Sequence, residues 1–186
     1  MRVIAGHLGG RRLKAPKGRL TRPTSERVRE ALFAMLGELP GEGSVLDLFA
    51  GTGALGIEAL SRGAGRAVFV ERDAQVVRVL KDNLRSLGLE TQAAEVRCAD
   101  ALAALRGARG RQETYDLVFI DPPYRQASSS IGDRWGPELS AMLPSVLARG
   151  ARIVVESDRR APLQLDIEVE RQRRYGDSSI TIHRHQ

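Results

Sequence analysis

Short apolar runs alternate with helix-like segments along the chain from Gly43 onward. The runs are rich in β-branched and aromatic residues and are predicted to be strands: Ser44–Phe49, Ala67–Glu71, Glu95–Cys98, Tyr115–Ile120 and Arg152–Glu156. Near-continuous apolar strands that are separated by helices indicate a mostly parallel sheet covered on both faces. The hydrophobic pattern therefore predicts an α/β fold.

The segment after Asp73 has the clearest helical spacing. Apolar residues recur there at intervals of three and four, and a glycine follows as the predicted C-cap: Val77, Leu80, Leu84, Leu87 and then Gly88. A second helix is predicted to begin at Pro23-Thr24. One face of that helix is apolar, through Val28, Ala31, Leu32, Met35 and Leu36. The opposite face, with Arg27, Arg29 and Glu30, is expected to be free for other roles.

The two ends of the chain differ from the centre. Near the C-terminus, Leu165–Val169 and Ser179–His183 are separated by the letters RQRRYGD and are predicted to form an antiparallel hairpin at a sheet edge. Near the N-terminus, Arg2–Ala5 and Arg11–Lys14 flank GHLGG and are predicted to pair as a small β-ribbon. We therefore expect a basic N-terminal extension over residues 1–21 and one main α/β domain over residues 22–186.

Composition narrows the class of protein. The 186 residues suit one domain, and the 42% hydrophobic share is enough for a core. A single cysteine, Cys98, excludes an internal disulfide framework and a cysteine-based zinc cluster. His7, His183 and His185 form no convincing ligand set, so no metal is expected. No apolar run approaches the roughly 18 residues of a membrane span or resembles a secretory signal. We expect a cytoplasmic protein that does not bind membranes, and nothing demands more than a monomer.

The positive charge is concentrated at one end. The net charge is +6, and residues 1–30 hold nine basic and two acidic residues, whereas the rest of the chain holds 20 basic and 21 acidic residues. This asymmetry predicts an arm that binds a polyanion. Its candidate phosphate contacts are Arg11, Arg12, Lys14, Lys17, Arg19 and Arg22. Arg27 and Arg29, on the helix after Pro23, are expected to reach closer to the target nucleotide. A solubilising or thermostabilising surface is the alternative.

A glycine-rich turn, VLDLFAGTGALG (Val45–Gly56), lies between the first predicted strand and a helix. Taken literally, its glycine spacing with Glu71 some 20 residues later is a dinucleotide fingerprint, so a nicotinamide cofactor has to be considered. Asp47 argues against it, because a pyrophosphate gains nothing from a carboxylate there, whereas the ammonium of S-adenosylmethionine does. Asp100 is placed to contact adenine, with a simple N-cap of the helix from Ala101 as the alternative. A solvated strand-end acid is the alternative for Glu71.

The most specific motif is YDLVFIDPPY (Tyr115–Tyr124). Its DPPY corner follows a predicted central strand, at the sheet edge where α/β folds bind ligands. Consecutive prolines remove backbone donors and leave carbonyls that can only accept hydrogen bonds. An amino group that is to be methylated needs such acceptors. We expect Asp121 and the Pro122 carbonyl to accept its N–H groups and Tyr124 to stack on the base, with Pro123 completing the catalytic corner.

Seven segments of the chain resemble the bacterial 16S ribosomal RNA guanine-N2 methyltransferases of the RsmD type. They are RVIAGHLGGRRL (Arg2–Leu13), RPTSERVREALF (Arg22–Phe33), LDLFAGTGALGIEALSRGA (Leu46–Ala64), FVERD (Phe69–Asp73), DPPY (Asp121–Tyr124), VVES (Val154–Ser157) and RYGDSSI (Arg174–Ile180). The resemblance implies a seven-stranded Rossmann-like S-adenosylmethionine methyltransferase fold with an N-terminal β-ribbon. It also implies methyl transfer to N2 of one guanine in small-subunit ribosomal RNA, in an assembled or assembling 30S subunit.

The resemblance, with the motif positions, gives the expected site residues. Those expected to hold the cofactor are Asp47, Phe49, Gly51, Thr52, Gly53, Glu71, Arg72, Asp100, Ala101 and Asp121. Residues 125–135 are expected to form a loop over the RNA entrance, in which Trp135 either stacks on RNA or packs in the core. Two alternatives use the same chemistry on DNA adenine N6 or on a protein glutamine. A third is a non-catalytic RNA-binding assembly factor.

Overall fold

The computed structural model describes residues 1–16, 26–39, 41–90, 93–123 and 132–186, without the side chains of 132–134. In these ranges the chain forms five α-helices, one 3-10 turn and seven strands. The helices are α1 (Glu26–Leu36), α2 (Ala54–Ser61), α3 (Ala74–Ser86), α4 (Ala101–Gly110) and α5 (Gly132–Met142), and the 3-10 turn is Leu143–Val146. The strands are β1 (Ser44–Asp47), β2 (Arg66–Glu71), β3 (Ala94–Cys98), β4 (Tyr115–Ile120), β5 (Leu147–Asp158), β6 (Val169–Tyr175) and β7 (Ser178–Arg184).

All seven strands belong to one sheet, in the order β3-β2-β1-β4-β5-β7-β6. The first five are parallel, whereas β7 runs antiparallel to both β5 and β6. β1 is central, and its Asp47 pairs with Phe69 on one side and Phe119 on the other. The predicted α/β fold with a mostly parallel seven-stranded sheet and a C-terminal antiparallel hairpin is confirmed.

The core has one layer on each face of the sheet. Alternate strand residues point to opposite faces, so Phe69 and Phe119 enter one layer while Val68 and Val118 enter the other. The first layer also receives apolar side chains of α1, α2 and α3, and the second receives those of α4 and α5. Both faces of the sheet are therefore covered, which explains why the strands read as almost continuous apolar runs.

The N-terminal ribbon forms in a minimal version. Arg2 and Arg12 make an isolated antiparallel bridge, and the Val3 N–H donates to the Arg11 carbonyl at 2.9 Å. The ribbon is not a loose appendage, because Val3, Leu8 and Leu13 are buried in the same core layer as α1, α2 and α3. Its described part is thus integral to the domain. The expected boundary at residues 21 and 22 lies outside the described residues.

Helix α2 fixes the ribbon through two buried side chains. The Glu58 carboxylate accepts hydrogen bonds from the Ile4 N–H at 2.7 Å and from the Ala5 N–H at 3.0 Å. Ser61 Oγ accepts from the Leu8 N–H at 3.0 Å and donates to the Ala5 carbonyl at 2.5 Å. These contacts satisfy backbone groups that a two-stranded ribbon would otherwise leave without partners.

Helix α3 agrees with its predicted spacing. Asp73 is its N-cap and accepts from the Gln75 N–H at 2.8 Å. Gly88 follows the C-cap residue Leu87 with a φ of +71°. The predicted start of α1 at Pro23-Thr24 lies outside the described residues. No helix in the described part of the chain is long and apolar enough to cross a bilayer.

The C-terminal hairpin differs from its prediction. The first strand was expected at Leu165–Val169 with RQRRYGD as the connection, but β6 spans Val169–Tyr175 and the turn is at Gly176-Asp177. The apolar pattern was misleading because β6 is an edge strand with exposed polar side chains over nearly its whole length. The strand is held by its backbone hydrogen bonds to β7. Charged side chains on an edge strand oppose edge-to-edge aggregation with other chains.

Candidate functional site

Three predicted motifs meet at one edge of the sheet. Since β1, β2 and β4 are parallel and in register, their carboxyl ends lie side by side. The glycine loop follows β1, Glu71 ends β2, and the DPP corner follows β4. The end of β3 joins them, because the Ala99 N–H donates to the Glu71 carbonyl at 3.2 Å and Asp100 comes next.

The glycine loop is shaped by Gly53. Its φ is +90°, and a Cβ at this position would lie 2.4 Å from the Leu80 side chain, so the loop needs a residue without one. Gly51 also has a positive φ, of +53°, but no atom lies within 4 Å of a Cβ built there. The loop therefore packs on α3 through Gly53 and leaves open space at Gly51.

Glu71 is held against this loop. One carboxylate oxygen accepts from the Gly51 N–H at 3.1 Å, and the other accepts from the Asp73 N–H at 2.8 Å. The side chain is half-buried. Glu71 is therefore a fixed acid beside the glycine loop and does not fit the alternative of a freely solvated strand end.

Asp47 is the most unusual carboxylate of the site. It is 1% exposed, and its Oδ2 accepts from the Gly56 N–H at 3.1 Å. Its Oδ1 is buried with no hydrogen-bond partner among the described residues. Burial raises the pKa of Asp47 to about 7, although the Gly56 N–H lowers it. An unsatisfied buried carboxylate oxygen is suited to a cationic partner, so the residues fit the ammonium of S-adenosylmethionine.

Sequence reasoning missed Asn83 on α3. This fully buried side chain donates from Nδ2 to the Thr52 carbonyl at 3.0 Å and to the Lys14 carbonyl at 3.1 Å, and its Oδ1 accepts from the Lys14 N–H at 2.8 Å. It therefore joins the glycine loop to the end of the ribbon. A signal was present, since Asn83 is a polar residue beside Leu84 on the apolar face of its helix, and a buried amide needs partners.

The catalytic corner is partly described. Asp121 is half-buried, Pro122 is buried and Pro123 is exposed, while Tyr124 lies outside the described residues. The strand register places Asp121 directly after Ile120 of β4, next to the carboxyl end of β1. The predicted acid and the first proline are thus beside the glycine loop.

Phe49 and Trp135 form an edge-to-face pair close to this corner. Their ring centroids are 5.2 Å apart, and both side chains pack on the core layer that contains α4 and α5. Trp135 therefore packs on the core, which was the alternative to stacking on RNA. Residues 125–131 of the expected entrance loop lie outside the described residues, whereas residues 132–135 begin helix α5, so the loop prediction is wrong for them.

Asp100 acts as the N-cap of α4. Its side chain accepts from the Leu102 N–H at 3.0 Å, and Ala101 is buried at the first position of the helix. The N-cap alternative is confirmed, and the adenine contact stays a prediction because both roles are compatible. Arg72 is exposed at the same edge of the sheet.

The candidate RNA-binding residues divide into three groups. Arg11, Arg12, Lys14 and Arg27 are exposed, although Arg11 donates to the Ser86 carbonyl at 2.8 Å and Lys14 pairs with Asp82 at 3.6 Å. These two contacts are on the exposed surface of α3. Lys17, Arg19 and Arg22 lie outside the described residues. The third group is Arg29.

Arg29 was expected on the free face of α1, and that expectation is wrong. Its side chain is fully buried, donates from Nη2 to the Arg2 carbonyl at 2.8 Å and lies 3.7 Å from the Glu58 carboxylate. Burial lowers the pKa of Arg29, while Glu58 raises it. Arg29 lies three, four and seven residues before Leu32, Phe33 and Leu36, the other buried residues of α1, so it is on their face of the helix. The prediction assigned this charged residue to the opposite face. With its buried contacts, Arg29 holds α1, α2 and the ribbon together and is not available to RNA.

The family model described as "Conserved hypothetical protein 95" matches residues 1–184. The chain belongs to this family. It is the RsmD family, so the predicted membership is confirmed, and with it the prediction of an S-adenosylmethionine-dependent methyltransferase.

Named relatives agree with this membership. The chain is 39% identical to "Putative rRNA methyltransferase YlbH" of Bacillus subtilis, over 99% of this chain and 98% of that protein. It is 41% identical to "Ribosomal RNA small subunit methyltransferase D" of Haemophilus influenzae, over 67% of this chain and 64% of that protein. The solved structure titled "Putative methyltransferase yhhF from Escherichia coli" is similar with a TM-score of 0.80 and 32% identity, over 100% of this chain and 98% of that one.

Proposed function

We propose that this member of the RsmD family transfers a methyl group from S-adenosylmethionine to the exocyclic N2 amine of one guanine in 16S ribosomal RNA. The observation that carries the proposal is the position of Asp121. It follows β4 directly, and β4 pairs with β1, whose Asp47 precedes the glycine loop. A carboxylate that can accept a hydrogen bond from an amino group thus lies beside a loop that fits the cofactor. The names of the relatives support ribosomal RNA as the substrate.

The carboxylates at the sheet edge have separate tasks toward the cofactor. Asp47 would hold the ammonium, since its Oδ1 is buried and has no partner in the described chain. Glu71 and Asp100 would hold the ribose and the adenine. When bound, S-adenosylmethionine supplies a methyl group already activated by a sulfonium. Placement and electrostatics then supply most of the rate, and no strong base is required.

The DPP corner prepares the amine for attack. The lone pair of an exocyclic amine is delocalised into the base, so it is a poor nucleophile when the amino group lies in the ring plane. The Asp121 carboxylate and the Pro122 carbonyl would each accept one N–H of the amine and hold it with the lone pair toward the methyl group. Both prolines lack a backbone N–H, so the corner offers acceptors without competing donors.

The exposed basic side chains of the ribbon, Arg11, Arg12 and Lys14, with Arg27 on α1, would contact phosphates. Such contacts set the orientation of the RNA more than the choice of sequence. We include in the proposal a small-subunit particle as the substrate, a cytoplasmic location and action as a monomer. The target base would leave its stack to reach the corner.

One experiment tests the reaction and its substrate together. The protein is incubated with methyl-labelled S-adenosylmethionine and unmodified small ribosomal subunits, and the RNA is digested to nucleosides. We expect the label in N2-methylguanosine. Label in another nucleoside, or none while S-adenosylhomocysteine still binds, would overturn the guanine assignment. DNA and a glutamine-containing protein are tested in parallel, because label there would support the adenine N6 or the glutamine alternative.

A further inference from the structure

Two turns are joined at the catalytic edge of the sheet, on the side of the C-terminal hairpin. The Arg159 N–H, just after β5, donates to the Asp177 carbonyl in the β6–β7 turn at 2.8 Å. Asp158 closes the first turn through its bridge to Ala161 and through its carboxylate, which accepts from the Arg160 N–H at 2.8 Å. The two turns therefore form one surface with a fixed backbone.

Four exposed arginines lie on and beside these turns, and we call them the hairpin-end cluster: Arg159, Arg160, Arg173 and Arg174. Arg173 and Arg174 are consecutive on β6, so their side chains leave the edge strand on opposite faces of the sheet. Arg173 and Arg174 lie at the end of β6, and Arg174 pairs in register with Ser179 of β7. Because β6 and β5 run in the same direction, the end of β6 and the end of β5 lie at the same edge of the sheet. This is also the edge where β4 leads into Asp121.

The catalytic end of the hairpin has an excess of positive charge. Its four arginines outnumber Asp158 and Asp177, the two acids of the same turns. A charged edge strand that only prevents aggregation does not require arginines in the turn after β5, which is not part of the edge strand.

Two neighbouring arginines outside the cluster have structural roles. Arg171, also on β6, donates to the Met35 carbonyl at the end of α1, and Arg152 on β5 donates to the Leu36 carbonyl. These two guanidinium groups stabilise the carboxyl end of α1. By contrast, no hydrogen bond or ion pair joins the guanidinium groups of the hairpin-end cluster to the described part of the chain.

The hairpin-end cluster and the ribbon lie on opposite sides of the catalytic corner. The ribbon packs on α2 and α3, beside β1 and β2, whereas β6 is three strands beyond β4 in the other direction. Three strand spacings correspond to about 14 Å. An RNA that enters the corner between these two basic surfaces would be held on both sides of its target nucleotide.

We propose that Arg159, Arg160, Arg173 and Arg174 form a second phosphate-binding surface for the substrate RNA. The inference rests on the proposed function, because it assumes an RNA substrate at the DPP corner. Arginine is suited to the role, since its planar guanidinium binds phosphate oxygens in pairs. The surface orients the RNA and carries no sequence choice of its own.

The test replaces all four arginines with glutamine and measures binding to unmodified small ribosomal subunits over a series of KCl concentrations at fixed magnesium. Each lost phosphate contact lowers the slope of log affinity against log salt by about 0.7–0.9. We expect the slope to fall by about 2–4 in total and affinity at low salt to fall at least tenfold, with S-adenosylhomocysteine binding unchanged. A four-lysine variant should retain most of the slope, since it keeps the charge.

A matched control removes the same charge elsewhere. Arg106 and Arg109 on α4, Arg149 near the start of β5 and Arg184 at the end of β7 are also exposed, and their replacement with glutamine should leave the slope nearly unchanged. Equal slopes for both glutamine variants would overturn the inference, even if the wild-type protein methylates the subunits. Failure of the wild-type protein to bind or methylate subunits would instead overturn the proposed function and the inference with it.

Discussion

The Asn83 side chain donates to the Thr52 carbonyl at 3.0 Å, so a residue of α3 holds the glycine loop in place. The same side-chain amide accepts a hydrogen bond from the Lys14 N–H and donates one to the Lys14 carbonyl. One buried side chain therefore ties the loop expected to hold the cofactor to the last part of the basic ribbon. The loop does not depend on its own glycines alone for its shape.

Replacement of Asn83 by alanine should weaken cofactor binding as well as folding. The change leaves the Thr52 carbonyl and both Lys14 backbone groups without their partner, and each buried group left unsatisfied costs about 1–3 kcal/mol. We expect a lower free energy of unfolding in urea and a several-fold weaker affinity for S-adenosylhomocysteine by calorimetry. Lys14→Ala is the control, because it keeps the backbone groups that Asn83 binds. Equal cofactor affinity for Asn83→Ala and the control would contradict the role given to Asn83.

Asp47 should make stability depend on pH. Burial raises its pKa to about 7 from the ordinary 3.8. A raised carboxylate pKa contributes stability that is fully present below about pH 4 and is lost as the pH rises through 7. Asp47→Asn does not titrate, so wild type should lose stability relative to this variant between pH 4 and 8. Urea unfolding of both proteins across this range measures the difference, and parallel pH curves would exclude a perturbed Asp47.

The same carboxylate should link cofactor binding to pH. An ammonium beside the unsatisfied Oδ1 favours the charged form of Asp47, so binding near pH 7 should release a proton. Affinity for S-adenosylhomocysteine should then tighten as the pH rises through 7 in wild type and change little in Asp47→Asn. Calorimetry in buffers of different ionisation enthalpy measures the number of protons released on binding.

Asp121 should be needed for turnover and much less for cofactor binding. Removal of one positioned hydrogen-bonding group from a reacting centre typically costs about 10²–10³ in rate. We expect Asp121→Ala to lose methyl transfer to this extent while it still binds S-adenosylhomocysteine. Asp121→Asn, which keeps an acceptor oxygen, should retain more activity than alanine. Full turnover of the alanine variant would remove Asp121 from the catalytic corner.

Arg29 and Arg27 should respond differently although they are two residues apart. Arg29 is buried with Glu58, and removal of one partner from a buried ion pair typically costs about 3–5 kcal/mol when the other charge is left without a partner. Glu58 keeps its ion pair with Arg62 at 2.8 Å. We therefore expect Arg29→Met to fold and to bind RNA as wild type does, whereas Arg27→Gln lowers RNA affinity and its salt dependence. Loss of RNA binding in Arg29→Met, with folding intact, would show that the arginine acts outside the core.

Gly6 and Gly10 provide a matched pair for the attachment of the ribbon. Their φ angles are nearly equal, +80° and +82°. A Cβ at Gly6 would lie 1.8 Å from the Ser61 carbonyl oxygen, whereas a Cβ at Gly10 would have no atom within 4 Å. The left-handed backbone alone should cost either alanine variant about 1–2 kcal/mol. Gly6→Ala should cost at least about 1–3 kcal/mol more, because the ribbon has to move off α2. Similar melting temperatures for the two variants would mean that the ribbon is held less closely than described.

This attachment also changes how the RNA arm can be tested. The sequence predicted a separate basic extension over residues 1–21, for which deletion would be the simplest test. Val3, Leu8 and Leu13 are buried in the core, however, so deletion would expose their partners and damage the fold. Charge substitutions at Arg11 and Arg12, which are exposed, are the appropriate variants.

The sequence by itself determined the strands other than β6, the glycine loop and the DPPY motif. Their signals are local, since an apolar run, a glycine spacing and a pair of prolines each constrain the backbone where they occur. The order of strands along an α/β chain then brings Asp47, Glu71 and Asp121 to one edge of the sheet. The segments that flank GHLGG predicted the ribbon, and family resemblance supplied the expected target, the N2 amine of a guanine in ribosomal RNA.

Only the tertiary structure decided which polar residues are buried and which are exposed. Arg29 was expected on a free face because it is charged, although its spacing puts it with Leu32, Phe33 and Leu36. Its partners, the Arg2 carbonyl and Glu58, are given only by the tertiary structure. Only the tertiary structure shows that the ribbon supplies backbone partners to the buried side chains of Asn83 and Glu58. The edge strand β6 has too few apolar residues to be recognised, because its position is set by hydrogen bonds to β7 and not by burial of its side chains.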